Sequence, residues 1–268
     1  LNIRVNTGKI TREKLIERLS SYGYEVYKTK YAKDGLIIDK PARITEIEEF
    51  KLGFFIIQDE SSMLVSQIVN PKENSLVLDL CSAPGGKATH LAQLMNNKGQ
   101  IISRDIYEHR LKLVRENAKR LGIDIIKTEI FDAMKLDENL VDKVDYCIVD
   151  APCSGLGIIR RRPEIKWNRK KEDIKKLNKT QRKILNNAKK YVKPGGEIIY
   201  STCTIIKEEN YNMVKSFIDE NKELQLIDFE ERLCSKENIE TAKDGYIQMF
   251  PHIHNTDGFF IARIQKNY

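Results

Sequence analysis

A doubly wound, parallel α/β sheet preceded by a small α/β subdomain is the fold this sequence predicts. From residue 75 onward, short and nearly continuous apolar runs alternate with amphipathic stretches. That pattern belongs to strands buried on both faces by crossover helices. Before residue 53 the pattern differs, with shorter strand-like runs around one capped helix. The chain has 268 residues, 41% hydrophobic and 32% charged, enough for one large core or two unequal ones. These observations divide it into residues 1–52, a small α/β subdomain, and residues 53–268, the principal domain, joined rigidly and without a linker.

In the first unit "LNIRVN" reads as a strand. Thr11 then caps a helix "REKLIERLSSYG", with Leu15, Ile16 and Leu19 on one side and Gly23 as its stop. "YEVYK" and "GLIID" are two further short strands. This combination is analogous to half of a sheet-plus-helix RNA-binding module.

In the principal domain the strands are expected at 75–80, 100–105, 124–130, 144–150, 196–202 and 258–264. Helices are expected at 86–96, 106–121, 170–191 and 207–221. In such sheets ligands sit beyond the carboxyl ends of the strands. After the first strand comes "DLCSAPGGKATHL", in which Pro84, Gly85 and Gly86 permit a tight turn into a helix N-terminus and Lys87 adds a positive charge. The spacing matches neither a dinucleotide fingerprint nor a phosphate-binding loop, so a small anionic group such as a carboxylate suits it better. Asp105 ends the second strand, placed to accept bonds from ribose hydroxyls. Asp132 follows the third strand within reach of an adenine amino group, and Asp150 ends the fourth. Each alone reads as a cap or loop residue, but three acids at successive strand ends beside a glycine turn describe an adenosine with an amino-acid tail: S-adenosylmethionine.

Five cysteines, at 81, 147, 153, 203 and 234, are too scattered for a disulfide scaffold, and with four histidines far from them in sequence no zinc site is expected. That usage fits a reducing cytoplasm. No apolar run is long enough for a spanning helix and no signal peptide opens the chain, so no membrane partner is expected. Cys147 lies within a strand and reads as a small core side chain, and Cys81 as packing at the edge of the cofactor pocket. Cys153 and Cys203 follow the fourth and fifth strands and emerge at one edge of the sheet, where a thiolate makes a strong nucleophile. Net charge is +7, and residues 160–183 carry twelve Lys/Arg against three acids. A solvated helix face and a polyanion-binding stripe explain that run equally well.

Three blocks, "LDLCSAPGGKATHLA", "VDAPCSGLGIIRRRPEIKW" and "YSTCTIIKEEN", resemble the signature motifs of the RNA cytosine-5 methyltransferases, and most of all their bacterial small-subunit ribosomal RNA branch. The likeness extends to "GFFIIQDESSMLV" and "PHIHNTDGFFIA" and covers essentially everything after residue 50. It implies a Rossmann-like, S-adenosylmethionine-dependent methyltransferase sheet acting on RNA. It implies that Cys203 attacks carbon 6 of cytosine, that Cys153 helps remove the carbon-5 proton to free the product, and that Asp150 contacts ring nitrogen 3. By the same likeness Cys81, Ser82, Ala83, Pro84, Gly85, Gly86 and Lys87, with Asp105, Asp132 and Asp150, hold the cofactor.

A base must leave its stack to be methylated, so an unpaired or flipped nucleotide is expected. Arg160, Arg161, Arg162 and Lys166 are the expected RNA contacts, and Trp167 is read as a packing anchor ahead of a stacking platform. Relatives of this branch carry a helical N-terminal RNA-binding domain, and the start at Leu1 suggests a missing upstream segment. A monomer is expected. Rival readings are the same chemistry on transfer RNA and a non-catalytic RNA-binding or ribosome-assembly factor; retention of both thiols and all three acids argues against the latter. Nothing in the sequence assigns a role to Cys234, His252 or His254.

Overall fold

The computed structural model describes the whole chain, Leu1–Tyr268. The N-terminal part contains strands Asn2–Val5 (β1), Val26–Lys28 (β2), Gly35–Ile38 (β3) and Phe55–Ile57 (β4), with helices Arg12–Ser21 (α1) and Glu48–Lys51 (α2). The four strands form one antiparallel sheet in the order β2-β3-β1-β4. Thr11 caps α1 as expected, its side chain accepting from the Lys14 amide. Leu15 and Leu19 are buried against Ile3, Val5, Leu36 and Ile38. The expected boundary after residue 52 falls inside this unit, because the chain turns back at Gly53 and Phe55 enters the small core. Gly53 is required there: its φ is +72°, and a Cβ would lie 2.0 Å from the Arg120 carbonyl oxygen.

A helix the sequence reading did not anticipate, Glu60–Val69 (α3), follows directly. Its signals are Asp59, whose side chain accepts from the Ser61 amide, and Asn70, which stops it in the left-handed region just before Pro71. Then come Leu76–Asp79 (β5), Gly86–Leu94 (α4), Gln100–Asp105 (β6), Glu108–Leu121 (α5), Ile126–Ile130 (β7) and Val144–Asp150 (β8). These are followed by Ile165–Asn168 (α6), Lys171–Tyr191 (α7), Val192–Thr202 (β9), Tyr211–Glu220 (α8) and Leu224–Leu226 (β10). Tyr246–Met249 (β11), Pro251–His254 (α9) and Phe259–Lys266 (β12) complete the chain.

The large sheet has the order β10-β12-β9-β8-β5-β6-β7, with β11 also on β12. Strands β5 to β9 are mutually parallel, as expected, whereas β12 runs antiparallel to β9, β10 and β11. The wholly parallel expectation fails there because β11 and β12 are joined by a short connection, too short for a parallel crossover. β9 also begins at Val192 rather than 196, since Val192 pairs with Val144 before a register shift.

Alternation along the strands sorts side chains between two buried layers. Val77, Ile148 and Ile199 pack with α3 and α4. Leu78, Cys147, Val149, Ile198 and Tyr200 pack with α7 and α8, and Cys147 is fully buried there as a small apolar side chain. Strand order reverses between β5 and β8, and the crevice at their carboxyl ends is where the acids and thiols meet. No helix is long and apolar enough to cross a membrane.

Candidate active site

A cleft of about 300 Å³ opens at that crevice, lined among others by Cys81, Ala83, Asp105, Asp132, Asp150, Cys153 and Cys203. The three acids expected at strand ends therefore share one cleft with both thiols. Ser82, Pro84, Gly85, Gly86 and Lys87 do not line it; they shape the turn behind its wall. Gly85 caps α4 with φ +97°, and a Cβ there would lie 3.0 Å from the Val114 backbone, so both conformation and packing demand glycine.

Asp105 accepts from the Tyr107 amide at 3.1 Å and pairs with Arg110 at 3.0 Å, which itself donates to the Ala83 carbonyl. Asp132 accepts from the Met134 amide at 2.9 Å. Asp150 accepts from Lys87 Nζ at 2.6 Å through one oxygen and from the Ser201 hydroxyl at 2.9 Å through the other. Burial opposes the charge on Lys87, but the Asp150 ion pair outweighs it and raises the ammonium's pKa. Asp79, unremarked in the sequence reading, is fully buried with both carboxylate oxygens unpartnered. Burial, reinforced by the nearby Asp150 charge, pushes its pKa up to about 7. The Ser82 hydroxyl is likewise buried without a partner.

Cys153 follows β8, Cys203 follows β9, and their Sγ atoms lie 3.3 Å apart. The hydrogen bond between the two thiols lowers the pKa of Cys203, helped by the Lys87 charge, against burial and Asp150. The same bond and burial raise Cys153 well above an ordinary thiol. The environment thus favours the thiolate form at Cys203 and disfavours it at Cys153.

Contacts distant in sequence hold the two turns together. The Gly157 amide donates to the Cys203 carbonyl at 3.0 Å, and the Gly258 amide to the Gly157 carbonyl at 2.9 Å. A Cβ on Gly157 would strike the Gly258 carbonyl oxygen at 1.9 Å, which explains the small residue. Glu209 is fully buried and accepts from the Ser154 amide at 2.9 Å, the Ser154 hydroxyl at 2.5 Å and Gln181 Nε2 at 2.9 Å. The Ser154 hydroxyl also meets that of Thr204 at 2.8 Å. Sequence reasoning missed Glu209, although "KEEN" lies within a block it had singled out.

The small sheet braces the turn from behind. Arg4 of β1, fully buried, donates to the Gly86 carbonyl and to Gln58 Oε1, each at 2.5 Å, and to the Thr89 hydroxyl at 3.0 Å. Burial depresses its pKa to about 9.

The expected RNA contacts divide. Arg160 pairs with Asp257 at 2.7 Å, and Arg161 pairs with both Asp257 and Asp59, so their head groups tie the segment after the thiol turn to the start of α3 and to the loop before β12. Arg162 and Lys166 are exposed and make no ion pair to a carboxylate. Trp167 is 79% exposed, which overturns its reading as a packing anchor: Ile165 faces inward from α6 and leaves Trp167 in solvent.

Residues 66–265 match the family model of the 16S rRNA methyltransferase RsmB/F, and residues 1–45 match the ferredoxin-like domain model of RsmF/B-like proteins. The chain is 41% identical over 266 residues to a probable ribosomal RNA small subunit methyltransferase B of Bacillus subtilis, covering 98% of this chain and 59% of that protein. It is 37% identical to a tRNA (cytosine(72)-C(5))-methyltransferase of Pyrococcus horikoshii, covering 83% of this chain and 55% of that protein. The crystal structure of NSun6 from Pyrococcus horikoshii with SFG superposes with a TM-score of 0.88 at 28% identity, covering all of this chain and 90% of that one. The chain spans about three-fifths of the length of the Bacillus relative. It belongs to the RsmB/F methyltransferase family, with that family's Rossmann-like sheet.

Proposed function

We propose that this member of the RsmB/F family methylates carbon 5 of a cytosine in RNA, with S-adenosylmethionine as cofactor and Cys203 as covalent nucleophile. The observation that carries the reading is the pair of thiols 3.3 Å apart in the cleft that Asp105, Asp132 and Asp150 also line. S-adenosylmethionine, when bound, supplies the electrophilic methyl group. Asp105 and Asp132 suit the ribose hydroxyls and adenine amino group, and the Cys81–Lys87 turn with the α4 N-terminus suits the amino-acid tail. The unpartnered Asp79 carboxylate and Ser82 hydroxyl beside that turn fit a polar ligand.

Cys203 as thiolate adds to carbon 6, and the electron pair displaced toward carbon 5 makes that carbon nucleophilic. As Cys203 adds, ring nitrogen 3 takes up a proton from solvent and donates it in a hydrogen bond to Asp150, held in place by Lys87, which stabilises the attacked ring until the proton is released on departure of Cys203. Once Cys203 is bonded to carbon it no longer accepts strongly from Cys153, so the largest cause of Cys153's raised pKa is gone. Cys153 can then give up its proton to solvent at the open cleft and, as thiolate, take the one on carbon 5. The electrons of that carbon–hydrogen bond re-form the ring double bond, and Cys203 departs as thiolate. Small-subunit ribosomal RNA is the proposed substrate, since the likeness to the Bacillus protein covers nearly the whole chain. Transfer RNA is a second reading, favoured by the Pyrococcus relative named for cytosine 72.

Cys153→Ala and Cys203→Ala, each incubated with ribosomal RNA and S-adenosylmethionine, test this on a denaturing gel. A covalent protein–RNA band with Cys153→Ala alone is expected. A band with Cys203→Ala alone reverses the two roles. Absence of a band from both, with RNA bound but unmethylated by the unaltered protein, favours a binding factor.

A further inference from the structure

Trp167 is the only tryptophan in the chain and, apart from the terminal Tyr268, its most exposed large apolar side chain. An indole left in water gives up a large burial gain, so its position calls for an occupant. Its surroundings state the chemistry. Lys166 Nζ lies 5.2 Å from the centroid of the indole ring. Arg162, Lys170 and Lys171 are exposed nearby, and of the three acids in residues 160–183, Asp173 is engaged in capping the Lys170 amide. An aromatic face set among unpaired cations fits a stacked base flanked by phosphates.

The platform is also fixed to the thiol turn. Arg169 Nε donates to the Ser154 carbonyl at 2.9 Å, one residue from Cys153. Ile165, at the other end of α6, lies against Gly155, where a Cβ would meet it at 3.2 Å. Trp167 is two residues from Arg169, at most about 7 Å of backbone. We infer that Trp167 is a stacking platform for an unpaired nucleotide adjacent to the target cytosine, with Arg162 and Lys166 contacting the phosphates beside it. This rests on the reading of the chain as acting on RNA, and it adds a way to hold the strand once the target base has left its stack.

The experiment uses Trp167 as its own reporter. The protein is titrated with a fluorescently labelled, unstructured cytidine-containing oligoribonucleotide at about 50 mM salt, where phosphate binding is strong. Binding is read by the anisotropy of the label and, separately, by tryptophan emission. Quenching of Trp167 with the same midpoint as the anisotropy is expected. Trp167→Ala should weaken binding roughly 5- to 150-fold, the range for loss of one base stack, and Trp167→Phe should restore most of it. The salt slope should stay unchanged in Trp167→Ala but fall by about one for Lys166→Ala, because only the latter loses a phosphate contact. RNA binding seen by anisotropy with no tryptophan quenching overturns the stacking role and leaves the RNA reading standing. No RNA binding by either signal removes both. Equal quenching by polyglutamate of matched charge overturns the nucleotide assignment in favour of an acidic protein partner.

Discussion

The segment from Asp150 to Lys183 is built in two contrasting ways. Its inner half, from Asp150 to Gly157, is held at nearly every residue: by Lys87 and Ser201 at Asp150, by Glu209 and Arg169 at Ser154, and by the Cys203 and Gly258 loops at Gly157. Its outer half, around Arg162 to Lys171, is exposed and strongly basic. The difference teaches what each half is for. Bond-making geometry tolerates little displacement, so the thiols sit in a network of buried hydrogen bonds. A surface that follows a flexible polymer needs charge and an aromatic face more than fixed partners. Arg160 and Arg161 mark the join, with side chains about 40% exposed and their head groups committed to Asp59 and Asp257.

Breaking the inner half should give the largest effects. Cys203→Ala should reduce transfer of labelled methyl to RNA by at least ~10³-fold while thermal unfolding stays nearly unchanged. Residual transfer within tenfold of the unaltered protein would show that the nucleophile is elsewhere. Glu209→Ala strips three buried donors of their acceptor, so its unfolding free energy should fall by about 2–4 kcal/mol, measured by urea denaturation. Glu209→Gln keeps an acceptor and should lose much less. Equal urea midpoints for all three proteins would mean that the turn is held by other contacts.

Asp79 gives a pH signature. Folded, it holds its proton up to about pH 7, whereas unfolded it releases it near 3.8. Between those values the folded state carries the extra proton, so stability should fall as pH rises through that window and level off above it. Asp79→Asn should flatten this profile in melting experiments; a slope retained in the variant assigns it to another group. The smallest effects separate the join from the outer surface. Arg161→Ala should destabilise the fold by about 1 kcal/mol, because it leaves Asp59 and Asp257 facing each other with one cation fewer. Arg162→Ala should leave stability within about 0.5 kcal/mol and lower the salt slope of RNA binding by about one. Equivalent behaviour of the two variants would erase the division between anchored and free arginines.

Much of this was legible in the sequence because its cause is local. Apolar runs of strand length between amphipathic stretches give the parallel core, Thr11 and Gly23 bound α1, and the glycine turn and strand-end acids follow from chain order alone. Apart from α3, whose Asp59 and Asn70 signals are local, what escaped was set by partners far along the chain. Nothing near Arg160 or Arg161 foretells Asp257, nearly a hundred residues on. The bond from Arg4 to Gly86 spans 82 residues, and Glu209 reaches back 55 to Ser154. Trp167 was misread because a tight turn in sequence does not say which side faces water. The sequence by itself determined most of the element types and the strand-end positions of the acids and the two thiols, since periodicity and turn residues are properties of neighbours. Only the tertiary structure decided that the thiols meet at 3.3 Å, which of them is pushed toward the thiolate and which arginines remain free, because those depend on distances that exist only once β8, β9 and the C-terminal strand lie side by side.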